Sequence, residues 1–262
     1  MSINRIKAIL LHEMFMMRHS FEVINDIVIY PLLQIVIFGF LTLYLFGLNG
    51  KTAGGYVLIG TILWQIISIT QYSISVGCLW DVWSRNLTNI FISPISIYEY
   101  FTAYIISGTL KSLFMFVLAS ILSIYVFHFN ILHLGIINLF LFYINLILFA
   151  FGFGIIVVGL IFRFGSRIQA FAWAMIGIFQ PFMAVIYPVS ILPKSLQVIS
   201  YLFPPTYVFE AARASIANPG VQWEYIGKAF FINIIFVYLS MMFFDRMFKA
   251  SKKKGQFARL EG

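Results

Sequence analysis

Charge is what this sequence has least of. Only 10% of its 262 residues are charged, nine of them acidic, while 61% are hydrophobic. Water-soluble domains are about a quarter charged. The mean hydropathy of +0.96 therefore excludes that class and marks an integral membrane protein, expected to be all-α. There is a single cysteine, Cys78, so an internal disulfide framework is excluded. Its place in an apolar run marks a buried, inert thiol. Carboxylates are missing from the middle of the apolar runs. Asp26 and Asp245 stand at run ends, and Lys111 is the one charge well inside. Ion-driven carriers normally hold their coupling ion on intramembrane carboxylates, so that class is disfavoured. Backbone carbonyls at broken helices leave it a residual route through sodium.

A phosphate-cradling loop, G-x-x-x-x-G-K-S/T, is also missing. Gly50-Lys51-Thr52 imitates its end, but Leu45 stands where the first glycine belongs. Nucleotide hydrolysis is thus not expected of this chain, and active transport would draw its energy from a second polypeptide. Metal and cofactor sites are not expected either. His12, His19, His128 and His133 make no H-E-x-x-H and have no cysteine pair beside them. Residues 1–20 mix Arg5, Lys7, Glu13 and Arg18 with apolar positions and offer no small-residue cleavage site, so a removable leader is not expected.

What is present is six apolar runs, at 27–48, 56–80, 102–127, 135–162, 168–187 and 226–245. A crossing needs about 20 such residues for a core of about 30 Å. The pattern predicts six transmembrane helices. Gly152, Gly154 and Gly159 in the fourth run mark close helix contact or simply fill space. Ahead of the runs, Ile3, Ile6, Leu10, Met14, Met17 and Phe21 recur every three or four residues beside Arg5, Lys7 and Arg18. This predicts an amphipathic helix over 2–21, lying in the membrane surface.

The net charge of +8 has a direction. Arg5, Lys7, Arg18, Arg85, Arg163, Arg167, Arg246, Lys249, Lys252, Lys253, Lys254 and Arg259 fall on one side. Lys51, Lys194 and Arg213 fall on the other, with Lys228 at a border. Such asymmetry orients a membrane protein with both termini in the cytoplasm, and nothing in it suggests nucleic acid. The basic tail at Lys252–Lys254 suits anionic lipid.

Two connections stand out. Residues 81–92 predict a short cytoplasmic helix with Trp83, Leu87, Ile90 and Phe91 at helical spacing, ended by Ser93-Pro94. It is either a membrane-surface helix or a docking knob for a partner. Residues 180–213 carry Pro181, Pro188, Pro193, Pro204 and Pro205. Proline breaks helices, and broken backbone survives in hydrocarbon only where protein or water satisfies it. An outward re-entrant hairpin is predicted over 188–220, between the fifth and sixth runs. Glu210 and Arg213, three apart, are expected to pair locally. Lys111 is read two ways, as an anion contact on a translocation path or as a side chain snorkelling to the inner interface.

These features together resemble a known family. The chain carries S-R-N-L-x-N-x-F-x-S-P-I at Ser84–Ile95 and L-I-F-R-F-G at Leu160–Gly165. Q-P-F-x-A-V-x-Y-P-V-x-x-L-P follows at Gln180–Pro193, and P-P-T-Y-V-F-E-A-A-R at Pro204–Arg213. In that order, and over nearly the whole chain, they resemble the membrane subunit of type-2 ABC exporters. The resemblance implies a pair of six-span permeases, this chain with a second copy or a paralogue, bound to separate nucleotide-binding ATPase subunits that hold ATP and Mg. It implies a coupling helix containing Asp81, Trp83, Ser84, Arg85, Leu87 and Phe91. It implies a gate or path near Gln180, Pro181, Tyr187, Pro188 and Pro193, and an outer hairpin built from Pro204, Pro205, Glu210 and Arg213. The setting would be a bacterial inner membrane. The approach to the first run, Met16–Phe21, lacks the basic, tyrosine-rich character of the polysaccharide branch. That favours an amphiphilic or hydrophobic small molecule over a polysaccharide or lipid-linked glycan. An ion-coupled carrier or channel, and a lipid-directed enzyme using Glu210, are the remaining readings.

Overall fold

The computed structural model describes residues 1–49, 51–218 and 220–253, with the side chains of 45–49, 51–54, 87, 88, 91, 166 and 217 outside the description. Gly50, Lys254 and Arg259, which figured in the motif and charge readings, lie outside the described residues. All regular structure among the described residues is helical. In chain order the helices are α1 (Ile3–His19), α2 (Phe21–Ile24), α3 (Tyr30–Asn49), α4 (Lys51–Trp83), α5 (Leu87–Ile92) and α6 (Ile97–Phe127). They continue as α7 (Ile136–Phe164), α8 (Gln169–Phe179), α9 (Lys194–Ser200), α10 (Pro204–Ala217) and α11 (Trp223–Lys253).

Local chemistry explains the boundaries. Between α2 and α3 the chain makes a π-helical turn, Asn25–Ile29. Pro31 follows it, with no N–H for the preceding turn and a ring that crowds a carbonyl four residues back. A full capping box opens α6: Ser96 Oγ accepts from the Glu99 N–H at 3.2 Å and Glu99 Oε2 accepts from the Ser96 N–H at 2.8 Å. Glycines in positive-φ conformations, Gly135 at 89° and Gly165 at 69°, bound α7 at both ends. Pro204 and Pro205 occupy the first turn of α10, where a missing N–H costs nothing.

Five helical stretches are long and apolar enough to cross a membrane: Phe21–Tyr44, Gly55–Trp83, Ile97–Phe127, Ile136–Phe164 and Trp223–Lys253. They match five of the six apolar runs. The sixth, 168–187, behaves differently. Its α-helix, α8, holds 11 residues, about 16 Å of rise. A 3-10 turn at Gln180–Met183 follows, and the chain then enters a left-handed residue, Ala184, at φ 53°. Pro181 and Pro188 stop the helix there.

The direction of the chain through this region is nevertheless fixed by its neighbours. Asn138 Nδ2, near the start of α7, donates to Gly220 O at 3.2 Å, just before α11. Midway, Asn233 Nδ2 donates to Asn145 O at 3.0 Å. At the far ends Ser251 Oγ donates to Phe162 O at 2.6 Å. Helices α7 and α11 therefore run parallel. Residues 165–222 leave one end of the bundle and arrive at the other.

Helix α4 is the central post, buried along most of its length and packed on α3, α6, α7, α8 and α10. Two glycines let neighbours approach it. A Cβ on Gly60 would collide with the Val185 carbonyl oxygen, and one on Gly77 would enter the ring of Tyr104.

Helix α1 packs along α6 and onto α2. Its buried residues are Ile9 and Glu13, with Ile6, Leu10 and Met17 partly buried. Ile3 (70% exposed) and Met14 (51% exposed), expected on the apolar stripe, face away from the protein. The face applied to the bundle centres on Glu13, whose ion pair is described below.

Candidate functional site

A cleft of about 420 Å³ opens between the π-turn and α3 on one side, α4 behind, and α8 on the other. Its wall is of two chemistries. Tyr30, Trp64, Tyr72 and Trp173 supply rings, and Gln34, Gln65, Gln71 and Gln180 supply amides. The π-turn places Asp26 on the same wall, where Asp26 Oδ2 accepts from Trp173 Nε1 at 3.3 Å. Gln65 Nε2 donates to Gln34 Oε1 at 3.0 Å, tying α4 to α3. Gln71 Nε2 and Ser75 Oγ both donate to Ala172 O, each at 3.1 Å, tying α4 to α8. A cleft with an apolar body and a few converging polar groups is the usual form of a small-molecule site.

Above the cleft lies the broken segment, and its free carbonyls have partners. Arg213 of α10 donates through Nη2 to Ala184 O at 2.9 Å and through Nη1 to Val185 O at 3.4 Å. The same Nη2 donates to Glu210 Oε1 at 3.0 Å. That oxygen also accepts from the Val189 N–H at 2.8 Å. Tyr187 Oη donates to Pro181 O at 2.7 Å. Thr206 Oγ1 donates to Ser200 O at 2.6 Å, closing the turn between α9 and α10. The Arg213 side chain is 5% exposed. Glu210 is thus engaged through Oε1 by backbone and arginine.

Helices α4, α7 and α11 end together at the side of the bundle that carries Arg85, Arg163 and Lys249. Here the expected single helix over 81–92 divides. Helix α4 runs on through Trp83, Arg85 turns the chain at φ 55°, and α5 begins at Leu87. Asp81 is 1% exposed and faces inward. Its Oδ2 accepts from Tyr100 Oη at 2.6 Å and Tyr104 Oη at 2.8 Å. It fastens α4 to α6 and presents nothing to a partner, a correction to its place on the expected coupling surface. Trp83 stacks on Trp173 with ring centroids 5.7 Å apart, linking this end to the cleft wall. Ser84 and Arg85 are exposed, as is Ile92. The Leu87 and Phe91 side chains lie outside the described residues.

Lys111 does not line the cleft. Its Nζ lies 2.5 Å from Glu13 Oε1 of α1, with both side chains nearly buried. A second tie secures the start of α1: Glu99 Oε1 accepts from the Ser2 N–H at 2.6 Å, and Arg5 lies 3.5 Å from Glu99 Oε2. Neither reading of Lys111 from sequence anticipated this pair. Long side chains on an apolar helix find buried partners because an unpaired charge there is costly.

Of the residues expected at a gate, Gln180 lines the cleft. Pro181 and Pro193 are exposed and Pro188 is half-buried, all at bends. Pro204 and Pro205 are buried at the foot of α10. The cleft residues Asp26, Gln34, Trp64, Gln65, Gln71, Tyr72 and Trp173 were not singled out. A signal existed, since three glutamines inside apolar runs are expensive in hydrocarbon and call for partners.

No curated protein matches the chain. Residues 16–217, more than half of the chain, match the ABC-2 type transporter family, and they contain the cleft, the broken segment, α5 and the Glu210–Arg213 pair. The chain is a membrane subunit of an ABC-type transporter: it belongs to the ABC-2 type transporter permease family.

Proposed function

We propose that this chain is the transmembrane half of an ATP-driven exporter of an amphiphilic or hydrophobic small molecule, working as a pair with a second copy or a paralogous permease. The observation that carries this is the cleft between α3, α4 and α8, whose rings and amides suit a cargo with an apolar body. Its lining reaches Gln180 at the start of the broken segment and, at Trp173, the ring that stacks on Trp83. Both termini and the basic end face the cytoplasm of a bacterial inner membrane, in keeping with the charge asymmetry. Residues 165–222 make the sixth crossing, with α8 and its flanking 3-10 turns spanning part of it and the α9–α10 pair dipping back from the outer face. The parallel course of α7 and α11 supports this topology.

Separate ATPase subunits dock at the turn formed by Ser84, Arg85 and α5. Their closure on ATP and Mg moves α4 and α6 as one piece, because Asp81 joins them through Tyr100 and Tyr104. The stacked Trp83–Trp173 pair passes that motion to α8 and so to the cleft wall. Helix α1, tied to α6 at Glu99 and Lys111, rides with it at the inner membrane surface. Export of a polysaccharide or lipid-linked glycan by the same architecture is the second reading, favoured by the amide-rich wall.

The test is reconstitution with a candidate nucleotide-binding ATPase subunit from the same genome. The parent is expected to capture that subunit and raise its ATP turnover. Arg85→Glu is expected to abolish capture while Cys78 stays buried and unreactive. Cargo flux without nucleotide, or unchanged capture by Arg85→Glu, overturns the proposal.

A further inference from the structure

Taking the cleft as the translocation path, we infer that it is built for an organic cation with an apolar, ring-bearing body, and that it rejects anionic amphiphiles. Among the residues lining it, Asp26 is the only charged one, and no lysine, arginine or histidine is present. Its carboxylate accepts two long bonds, 3.3 Å from Trp173 Nε1 and 3.3 Å from Asn25 Nδ2. A carboxylate has about four acceptor sites, so these leave it capacity. The buried Tyr72 Oη faces the same carboxylate without completing a hydrogen bond of ordinary geometry among the described residues.

Around this group stand Tyr30, Trp64, Tyr72 and Trp173. Aromatic faces beside a carboxylate attract a cation twice over, by opposite charge and by the negative face of each ring. An anion meets the reverse on both counts, with no donor cation to offset it. The glutamines add neutral donors and acceptors that fix orientation without changing the sign. The one backbone device in this span, the π-turn before Pro31, is what brings Asp26 to the wall.

The test uses thiol reagents of opposite charge on the full chain in nanodiscs, open to solvent on both faces. Ser68→Cys, a near-isosteric change on the cleft wall, supplies the target. The parent chain, whose Cys78 is fully buried, is the unreactive control. A trimethylammonium methanethiosulfonate and a sulfonate methanethiosulfonate are compared, each normalised to its rate with a free thiol. The cationic reagent is expected to be favoured about tenfold, as in clefts of single sign. Asp26→Asn is expected to remove most of that preference. Tetraphenylphosphonium is expected to slow labelling, while tetraphenylborate, of the same shape and opposite charge, does not. Equal normalised rates, or a preference that survives Asp26→Asn, overturn the cation assignment and leave the path standing. Failure of both reagents to label Ser68→Cys overturns the path as well.

Discussion

Replacing Arg213 by methionine tests whether the broken segment is held as the geometry indicates. The guanidinium donates to Ala184 O, Val185 O and Glu210 Oε1, from a side chain 5% exposed. Its loss leaves two main-chain carbonyls without their donor, at about 1–3 kcal/mol each if they stay buried. It also leaves Glu210, 18% exposed, with only the Val189 N–H. Against this, the burial of Arg213 itself is costly and its Nε has no partner among the described residues. The balance is close to the loss seen when one member of a buried pair is removed, about 3 kcal/mol. For a chain of this size that lowers Tm by roughly 6–12 °C, taking about 2–4 °C per kcal/mol. The chain carries its own reporter, since Cys78 is fully buried and reacts with a thiol-sensitive dye only on unfolding. Arg213→Met/Glu210→Gln is expected to recover part of the loss, because the stranded carboxylate is gone while the two carbonyls remain. An Arg213→Met chain as stable as the parent, or a double variant less stable than the single, would refute the reasoning.

Two further outcomes follow from packing and charge. Gly60→Ala places a Cβ against the Val185 carbonyl, which is backbone and cannot swing aside. It is expected to cost about 1–3 kcal/mol and to expose the 184–189 turn to proteolysis; an unshifted Cys78 melting curve would contradict this. Glu13→Leu alone strands Lys111 and is expected to cost about 3 kcal/mol, whereas Glu13→Leu/Lys111→Met returns close to the parent. Hydrogen exchange in α1 reads this directly, and equal exchange in the single and double variants would show that the pair does not hold α1.

The class of protein and five of the apolar spans were legible in the residues alone. Hydrophobic length and the placement of Lys and Arg are local quantities, and no neighbour can alter them. The prolines likewise announced a break near 181–188, because a missing N–H is a property of the residue. What filled the break was not legible. Arg213 lies about 28 residues from the carbonyls it serves, and only the packing of α10 against α4 and α7 brings it there. The same is true of Asp81, which read as a surface residue until α6 placed two tyrosines over it. Lys111 became half of a pair when α1 laid Glu13 against it. The cleft itself exists only as a relation between α3, α4 and α8. Sequence fixes which groups cannot remain unsatisfied in a membrane, and tertiary structure decides which partners satisfy them, because those partners are distant in the chain and meet only when the helices pack.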